Sequence, residues 1–575
     1  MKLARLFAPL LPVFALAACA TDSGPAPDIA SAPSAQETVL PFVIAANPLA
    51  AQAGMEVLER GGSASDAAVA VQAMLSLVEP QSSGVGGGTF ITYYDAASGE
   101  VMIYDGRETA PAQASRTMFL DNAGQPLGFR TAVVSGRATG VPGAVAALAM
   151  AQGEHGKLPW NSLFGSAITT AQDGFTISPR LGRFLQMDFP QLSTPDAMAY
   201  FSNPDGSRKQ AGDVLKNAAY ADFLTRLAEQ GPDALYRGST AAKIVQRTRE
   251  APYGGTMTMA DLAAYRPVKR DPVCGPWHDY KVCVPPPPSS GAAFLQLLAL
   301  LERTDIAERG PDDPQAWYLF AEASRLMYAD RDAYFGDGDF VHVPIKGLLD
   351  PAYLDQRAAL IGPRAAANVA AGVPEGVARP VADKTLEPAG TSHFIVRDRW
   401  GNVVSMTTTV ESIFGSGRMV DGFFLNNQLT DFSFNPLQAD GSAAPNAVAP
   451  GKRPRSSMVP LIMLDSDGKF AGAVGSAGGN SILAYVGKSL VAAVDWGMPM
   501  QDALAQPNLI ARGNVIGAEV SDFDPAIVEG LAERGMTLVP GQGEDSGVHA
   551  VLIRDGAVDG GYDPRREGVV LVGER

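Results

Sequence analysis

The stretch "EPAGTSHFIVRDRWGNVVSMTTTVES", residues 387–412, predicts two antiparallel strands joined by a short polar turn. Apolar and polar residues alternate over 392–397 and again over 403–410, which is the pattern of half-buried strands. The segment Asp-Arg-Trp-Gly-Asn between them has the glycine and asparagine that are typical of a hairpin turn. Folding the chain about the centre of this turn places Thr391 opposite Thr409.

Two interpretations of Thr391 follow from these residues. In the first, the chain cuts itself between Gly390 and Thr391, and the new α-amine, with a pKa of about 7.7–8.0, serves as the base for the threonine hydroxyl. Gly390 suits this reaction, because a residue without a Cβ tolerates the bent peptide that an N-to-O acyl shift requires. In the second, the stretch is an ordinary threonine-rich strand, which is a common structure. In both, Thr409 and Glu411 are predicted on the face that carries Thr391.

The composition of the chain is that of a globular protein, and its charge argues against one class of partner. The 575 residues are 46% hydrophobic and 18% charged, which allows a large core or several domains. The formal net charge of −16 argues against nucleic acid, because phosphate binding needs clustered Lys and Arg. The five histidines do not stand at ligand spacing, and the sequence has neither an HExxH nor a CxxC motif, so no metal site is expected.

Residues 1–18 have the pattern of an export signal: a short basic region, an apolar run and two alanines before Cys19. The sequence Leu-Ala-Ala-Cys is similar to a bacterial lipoprotein box, in which the cysteine is lipidated; the alternative is a simple secretory signal. Residues 19–41 are rich in Ala, Pro and Ser and are predicted to form a flexible tether. We therefore expect the protein on the periplasmic side of a bacterial membrane, held only by a lipid on Cys19, or soluble in the periplasm under the alternative.

Cys274 and Cys283 are predicted to face each other across a second hairpin, "PVCGPWHDYKVC" (272–283). A turn at His278-Asp279 places these two cysteines directly opposite on the ladder. Cross-strand Cβ separations of about 4.5–5.5 Å are close to those of a disulfide, and an exported protein can form one. The alternative is two free, half-buried thiols.

The remaining sequence alternates strand-rich ends with a helical middle. Asn47-Pro48 and Ser63 mark two helix starts. The loop "GVGGGTFITYYD" (84–95) lacks the last glycine of a dinucleotide motif, so its glycines are expected to allow close approach of the backbone. Residues 140–390 are predicted mainly as helices, and strands follow them. This order predicts a layered α+β fold whose sheets include distant parts of the chain.

Nine motifs together make residues 42–575 resemble the γ-glutamyltranspeptidases, members of the N-terminal nucleophile hydrolase superfamily. They are "SGVGGGTF" (83–90), "GRETAPA" (106–112), "ATGVPGAV" (138–145), "PPPSSG" (286–291), "MYADRDAYFGD" (327–337), "GTSHFIV" (390–396), "LNNQLTDFS" (425–433), "KRPRSSMVP" (452–460) and "GSAGGNSI" (475–482). The resemblance implies a four-layer αββα sandwich. It also implies a precursor that cuts itself into a large subunit, residues 42–390 of the folded part, and a small subunit, residues 391–575. The two stay together as a heterodimer.

The resemblance also implies the residues of an active site. They are Arg107, Ser456 and Ser457 for the α-carboxylate of the substrate, Glu411, Gln428 and Asp431 for its α-ammonium, Thr391 and Thr409 for the nucleophile and its hydroxyl partner, and the backbone N–H groups of Gly478 and Gly479 for the oxyanion hole. At position 411 the chain departs from the pattern, because many members of the family have asparagine there. A second carboxylate beside Asp431 is expected either to strengthen ammonium binding or to change selectivity through repulsion.

The implied reaction is acyl transfer through Thr391, which attacks the γ-amide carbonyl of glutathione or another γ-glutamyl compound. The acyl group then passes to water or to the amine of an amino acid or dipeptide acceptor, and no metal or organic cofactor is expected. Two alternatives stay open. One is an acylase that cleaves a glutaryl amide, such as that of a glutaryl-cephalosporin, and the other is a non-catalytic lipoprotein that uses the pocket for binding.

Overall fold

The computed structural model describes residues 39–375, 377, 385, 387–388, 390–438, 441–541 and 546–574. The strands within these residues are, in chain order, β1 Phe42–Ala45, β2 Gly88–Tyr94, β3 Val101–Gly106, β4 Phe175–Thr176, β5 Val214–Leu215, β6 Val268–Arg270, β7 Val273–Trp277, β8 Tyr280–Val284, β9 Gly390–Arg397, β10 Val403–Glu411, β11 Met419–Val420, β12 Phe423–Phe424, β13 Leu461–Leu464, β14 Phe470–Gly475, β15 Leu509–Arg512, β16 Val515–Ala518, β17 Leu538–Pro540, β18 His549–Arg554, β19 Ala557–Tyr562 and β20 Val569–Val572. The predicted signal and Cys19 lie outside the described residues.

The α-helices of the same residues are concentrated between β3 and β9, as the sequence predicts. They are α1 Pro48–Glu59, α2 Ala64–Val78, α3 Phe129–Val133, α4 Ala144–His155, α5 Gly165–Asp173, α6 Pro179–Leu185, α7 Pro195–Tyr200, α8 Ala218–Gln230, α9 Asp233–Tyr236, α10 Gly238–Arg249, α11 Met259–Ala264, α12 Gly291–Leu301, α13 Pro314–Tyr334, α14 Ile345–Leu348, α15 Pro351–Ala358, α16 Ile482–Leu490, α17 Met500–Ala505 and α18 Pro525–Glu533. None of these described helices has the length and apolar character needed to cross a membrane.

Two antiparallel sheets lie at the centre of the fold. The first has the strand order β20-β1-β9-β10-β2-β3-β6, and the second has the order β19-β18-β14-β13-β8-β7. Phe42 and Ile395 of the first sheet share one buried apolar cluster with Ile462 and Val551 of the second. Because this cluster removes apolar surface of both sheets from water, it holds them face to face.

Helices cover the outer face of each sheet. Val43 and Met406 of the first sheet belong to the same buried cluster as Leu75 of α2. Leu461 of the second sheet is buried together with Trp317 of α13, in a cluster that also includes side chains of α12 and α16. The layers therefore follow the order helix, sheet, sheet, helix, and the predicted four-layer αββα sandwich is confirmed.

The chain on both sides of the Gly390–Thr391 bond contributes to both sheets. In the first sheet β1, β2, β3 and β6 come before this bond, whereas β10 and β20 come after it. In the second sheet β7 and β8 come before it, and the other strands come after it. Two pieces made by cleavage there would therefore share both cores. The subunit boundaries themselves, 42–390 and 391–575, stay predictions.

The two predicted helix starts agree with the structure. Asn47 caps α1 by accepting a hydrogen bond from the backbone of Leu49, and Ser63 forms a capping box at the start of α2. Beyond β12, the side chain of Asn426 donates to the backbone carbonyl groups of Gly86 and Gly140, which lie in two glycine-containing loops.

The second predicted hairpin is also confirmed. β7 and β8 pair with Trp277 opposite Tyr280 and Cys274 opposite Cys283. The two cysteines form a disulfide with a Cα–Cα distance of 4.1 Å. The alternative of two free thiols is therefore wrong in this structure.

Candidate active site

The hairpin of β9 and β10 places Thr391 opposite Thr409, as the sequence predicts. Beyond Thr409 the register shifts by one residue, so that Glu411 lies opposite Gly390. Glu411 has a φ of +82°, in the left-handed region that non-glycine residues rarely adopt. The simple alternation of side chains therefore ends at a β-bulge, and the bulge sets the direction of the Glu411 side chain.

The hydroxyl groups of Thr391 and Thr409 form a chain of hydrogen bonds that ends on the carbonyl of Gly390. The Thr391 hydroxyl donates to Thr409 Oγ1 at 3.1 Å, and the Thr409 hydroxyl donates to the Gly390 oxygen at 2.8 Å. The backbone N–H of Glu411 donates to Thr409 Oγ1 at 2.8 Å, which fixes its orientation. The carbonyl of Thr391 accepts from Arg566 Nη1 at 3.0 Å. The peptide bond at 390–391 is thus held on both sides.

Two positions in this region have room only for glycine. A Cβ on Gly390 would lie 2.1 Å from the Glu411 carbonyl oxygen and 2.5 Å from the Ser412 carbonyl carbon. A Cβ on Gly87 would lie 1.9 Å from the carbonyl oxygen of Thr409. Such distances are far below van der Waals contact, so the predicted close backbone approach of the glycine loop is confirmed.

A single cavity brings the predicted site residues together. Its lining consists of Arg107, Glu387, Pro388, Thr391, Thr409, Glu411, Gln428, Asp431, Ser456, Ser457, Met458, Gly479 and Ile482. Gly478 is not part of the lining, but it lies beside Gly479 in the loop after β14. These residues come from distant segments on both sides of Thr391, and the two sheets position them around it.

One end of the cavity, which we name the acceptor end, consists of Glu411, Gln428 and Asp431. Asp431 Oδ2 accepts from Arg107 Nη2 at 2.5 Å and from Gln428 Nε2 at 2.6 Å. Glu411 Oε2 accepts from Ser412 Oγ at 2.6 Å and also from the Asn427 side chain. With both carboxyl groups ionised, no donor among the described residues reaches Glu411 Oε1, Gln428 Oε1 or Asp431 Oδ1. When one carboxyl group is protonated, Glu411 and Asp431 can form a hydrogen bond with each other. This end is rich in hydrogen-bond acceptors that the folded chain leaves without donors.

The two carboxyl groups of the acceptor end influence each other. Burial raises the pKa of Glu411 well above its usual range, and the charge of Asp431 raises it further. Burial also raises the pKa of Asp431 to about 6, although the Arg107 guanidinium acts in the opposite direction. Because two buried carboxylates repel each other, the pair retains a proton until a cation replaces it.

A second part of the site, which we name the arginine end, consists of Glu387 and Ser457 of the lining together with Arg331 and Arg455, which bind Glu387. Arg331 Nη2 donates to both carboxylate oxygens of Glu387, at 2.6 and 2.7 Å. Arg455 Nε donates to Glu387 Oε1 at 3.0 Å, and the Ser457 hydroxyl donates to Oε2 at 2.6 Å. Burial alone would raise the pKa of Glu387, but the two guanidinium charges outweigh it and hold the pKa at about 2.

The loop after β14 packs against the segment that precedes the cleavage site. Gly478 and Gly479 both have positive φ, +127° and +53°. The backbone N–H of Asn480 donates to the Glu387 carbonyl at 2.9 Å. A Cβ on Gly479 would lie 2.1 Å from the Glu387 carbonyl oxygen and 2.5 Å from that of Pro388. The predicted oxyanion loop is therefore next to Thr391 and in direct contact with residues 387–388.

Comparison with known proteins identifies the family of this chain. The family model described as Gamma-glutamyltranspeptidase matches residues 50–573. The chain belongs to the γ-glutamyltranspeptidase family. The family predicted from the sequence motifs is thereby confirmed, and the protein is an enzyme of this family.

Relatives within the γ-glutamyltranspeptidase family differ in the activities for which they are named. The glutathione hydrolase proenzyme of Bacillus subtilis (strain 168) is 38% identical over 479 residues, which cover 81% of this chain and 80% of that protein. The Acylase ACY 1 proenzyme of Pseudomonas sp. (strain SE83) is 33% identical over 536 residues, 92% of each chain. The crystal structure of cephalosporin acylase from Bacillus halodurans is similar with a TM-score of 0.80 and 26% identity, covering 95% of this chain and 98% of that one.

Four residues of this γ-glutamyltranspeptidase-family site were not predicted as site residues. Arg331 and Arg455 lie within quoted motifs, and Glu387 lies just before the predicted cleavage site, but no local spacing relates the three. Arg566 lies near the end of the chain and has no motif. What the four residues share is a buried charge, and burial becomes visible only when the fold shows which charges meet.

Proposed function

We propose that the protein is a self-processing γ-glutamyl hydrolase and transpeptidase in which Thr391 is the nucleophile. The observation that carries this proposal is the acceptor end beside Thr391. Three buried oxygen atoms there, of Glu411, Gln428 and Asp431, accept no hydrogen bond from the described residues. An ammonium group has three N–H donors and no acceptor, so the α-ammonium of a γ-glutamyl group matches this end in charge and in donor number.

The α-carboxylate of the same donor is assigned to Arg107, Ser456 and Ser457. Arg107 is buried and already pairs with Asp431, so its guanidinium stands between the two charged groups of a bound γ-glutamyl donor. The Nε and Nη2 groups of Arg107 donate to Pro454, Asp431 and Arg455, so we assign its Nη1 group to the carboxylate of the donor, as a charged hydrogen bond. We infer that this contact directs the γ-carbonyl towards Thr391, which lines the same cavity.

Self-cleavage starts from the hydrogen-bond chain at the Gly390–Thr391 bond. The Thr391 oxygen attacks the Gly390 carbonyl carbon, the Thr409 hydroxyl takes the proton of Thr391 while it gives its own proton to the Gly390 oxygen, and a tetrahedral adduct forms. Breaking the C–N bond transfers a proton to the nitrogen and leaves an ester between Gly390 and the Thr391 oxygen. The α-amine of Thr391 is free from this point, and water then hydrolyses the ester, giving a carboxyl group on Gly390 and restoring the Thr391 hydroxyl.

Turnover uses that α-amine as the general base. It accepts the proton of the Thr391 hydroxyl, whose oxygen attacks the γ-carbonyl of the donor, and the N–H groups of Gly478 and Gly479 are assigned to the oxyanion. The proton passes to the leaving amine, and a γ-glutamyl ester remains on Thr391. Water releases glutamate, whereas an amino acid or dipeptide amine releases a new γ-glutamyl compound. Glutathione is the donor that we propose first.

A glutaryl acylase is the second candidate, and one observation favours it. The raised pKa values of Glu411 and Asp431 mean that one of these two carboxyl groups can stay protonated. A donor without an α-amine can therefore bind without leaving two negative charges side by side at the acceptor end. Two of the relatives described above are named as acylases.

A pair of chromogenic donors separates the two candidates. We expect kcat/KM for γ-glutamyl-p-nitroanilide to exceed that for glutaryl-p-nitroanilide by at least about tenfold at pH 8, since only the first fills the acceptor end with charged hydrogen bonds. Equal or reversed values would contradict the ammonium assignment and favour the acylase. The same enzyme preparation serves as its own control, because the two donors differ only in the α-amine.

The assembly and its location are also proposals. We infer that the subunits 42–390 and 391–575 stay together as a heterodimer, since both sheets contain strands from both sides of the cut. The lipid anchor on Cys19 and the periplasmic location rest on the sequence pattern alone. Mass spectrometry of the large subunit tests them, because a lipidated chain begins with a modified Cys19.

A further inference from the structure

The arginine end contains two buried guanidinium groups that are neutralised from within the chain. Arg331 and Arg455 are fully buried, and Glu387 is 6% exposed. Asp332 also contacts Arg331, at 3.0 Å from Nη1, but it does not reach Arg455 in the described contacts. Buried cations are stabilised by nearby anions, and the Glu387 carboxylate is an anion that contacts both of these arginines.

Glu387 is tied to the cleavage site through a very short piece of backbone. Three residue steps separate it from Gly390, which corresponds to at most about 11 Å of extended chain. Its carboxylate is bound by the arginine end, and its carbonyl accepts from Asn480 N at 2.9 Å. At the other end of this piece, Gly390 is paired with β10 and its carbonyl accepts from Thr409. Fixing both ends restricts where the Gly390 carbonyl carbon can lie relative to Thr391 Oγ1.

We propose that Glu387 is a positioning residue for self-cleavage, and that it acts by placing its carboxylate on Arg331, Arg455 and Ser457. The inference rests on the proposed role of Thr391 as the nucleophile of that cleavage. Glu387 touches none of the reacting atoms; it holds the peptide so that the hydroxyl chain of Thr391 and Thr409 meets the Gly390 carbonyl.

The same geometry makes Glu387 and the donor mutually exclusive. The Ser457 hydroxyl has one proton, which it donates to Glu387 Oε2. Ser457 is also one of the groups assigned to the α-carboxylate of the donor. While Glu387 is bound there, a donor cannot use this hydroxyl, so the uncleaved chain fills part of its own substrate site with its own carboxylate.

The test follows cleavage of the full chain after cell-free synthesis, on a denaturing gel. Glu387→Gln keeps the size of the side chain and removes its charge, and we expect cleavage about 10- to 100-fold slower than in the wild type, the range for loss of a charged hydrogen bond. The matched control is Glu322→Gln, which removes another buried carboxylate, one paired with Arg325 outside the cavity. Cleavage of the control is expected at the wild-type rate.

Rescue distinguishes positioning from a general effect on folding. Glu387→Ala removes the side chain, and added propionate restores an equivalent carboxylate to the arginine end. We expect its slow cleavage to accelerate with propionate concentration and to saturate, whereas chloride at the same ionic strength has no effect. A slow cleavage that propionate does not change would overturn the proposal, because it would show that Glu387 acts only through folding.

The outcomes also separate this inference from the proposed function. If the wild-type chain is never cut before Thr391, the proposed function fails. If the wild type is cut there and Glu387→Gln is cut equally fast, only the role of Glu387 is contradicted.

Discussion

The two ends of the cavity are filled differently. At the arginine end, two buried cations are matched by Glu387 of the same chain, whose pKa is held at about 2. At the acceptor end, Glu411 and Asp431 have raised pKa values and oxygen atoms that receive no donor from the described residues. The folded chain therefore supplies an anion that contacts both arginines at one end, whereas at the other end Arg107 pairs with Asp431 and Glu411 has no cationic partner among the described residues. A donor that carries both charges meets a prepared site for its ammonium and an occupied site for its carboxylate.

The largest expected effect comes from Thr391, which lines the same cavity as residues of both ends. Thr391→Ala removes the nucleophile, so we expect a single uncut chain, 60.1 kDa with residues 1–18 and smaller once they are removed, and activity reduced by at least about 10⁴-fold. A denaturing gel and an assay with a γ-glutamyl donor measure both. Ser392→Ala changes the neighbouring buried hydroxyl, which bonds to Glu79 instead, and should still be cut. A Thr391→Ala protein that is cut and active would show that Thr391 is not the nucleophile.

The next effect concerns the hydroxyl that connects Thr391 to the peptide bond. Thr409→Val keeps the shape of the side chain but removes the donor to the Gly390 carbonyl, and cleavage should slow about 10²- to 10³-fold, as for the loss of one donor to a developing oxyanion. Thr408→Val is the control, because successive side chains of a strand point to opposite faces. The rates come from the fraction of uncut chain over time. Equal rates for the two variants would show that the Thr409 hydroxyl is not part of the reaction.

A pair of variants, one at each end, tests the comparison itself. Glu411→Gln should raise KM for γ-glutamyl-p-nitroanilide about 10- to 100-fold and leave KM for glutaryl-p-nitroanilide nearly unchanged, because only the first donor has an ammonium group. Ser457→Ala should weaken both donors by a similar factor, because both carry the carboxylate. If both variants affected the two donors alike, the ends would not be specialised by charge.

The smallest effect is a dependence of donor preference on pH. Burial raises the pKa of Glu411 well above its usual range and that of Asp431 to about 6, so Asp431 gains a proton as the pH falls through about 6, in addition to the proton that the pair already retains. The pair with fewer protons binds an ammonium better, so KM for the γ-glutamyl donor should increase below that pH, by no more than about tenfold per unit if one further proton is displaced. The ratio of KM values for the two donors isolates this effect from protonation of the Thr391 amine. A ratio that stays constant between pH 5 and 8 would exclude proton displacement at this end.

The sequence predicts the acceptor end far better than the arginine end. The pairing of Thr391 with Thr409 follows from local alternation and a recognisable turn, and the sandwich follows from motifs in the expected order. The bulge at Glu411 could not be derived in this way, because its positive φ depends on the backbone that packs around it. Glu387 lies 56 positions after Arg331 and 68 positions before Arg455, and only the folded layers bring the three residues together.

The central claim is that the chain becomes active by exposing the amine of Thr391. Amino-terminal sequencing of the small chain from an active wild-type preparation tests it most directly. The account predicts one sequence, Thr-Ser-His-Phe. It also predicts that activity follows the amount of cut chain and not the amount of uncut chain. Activity that stays with an uncut chain, or a small chain that begins at any other residue, would contradict it.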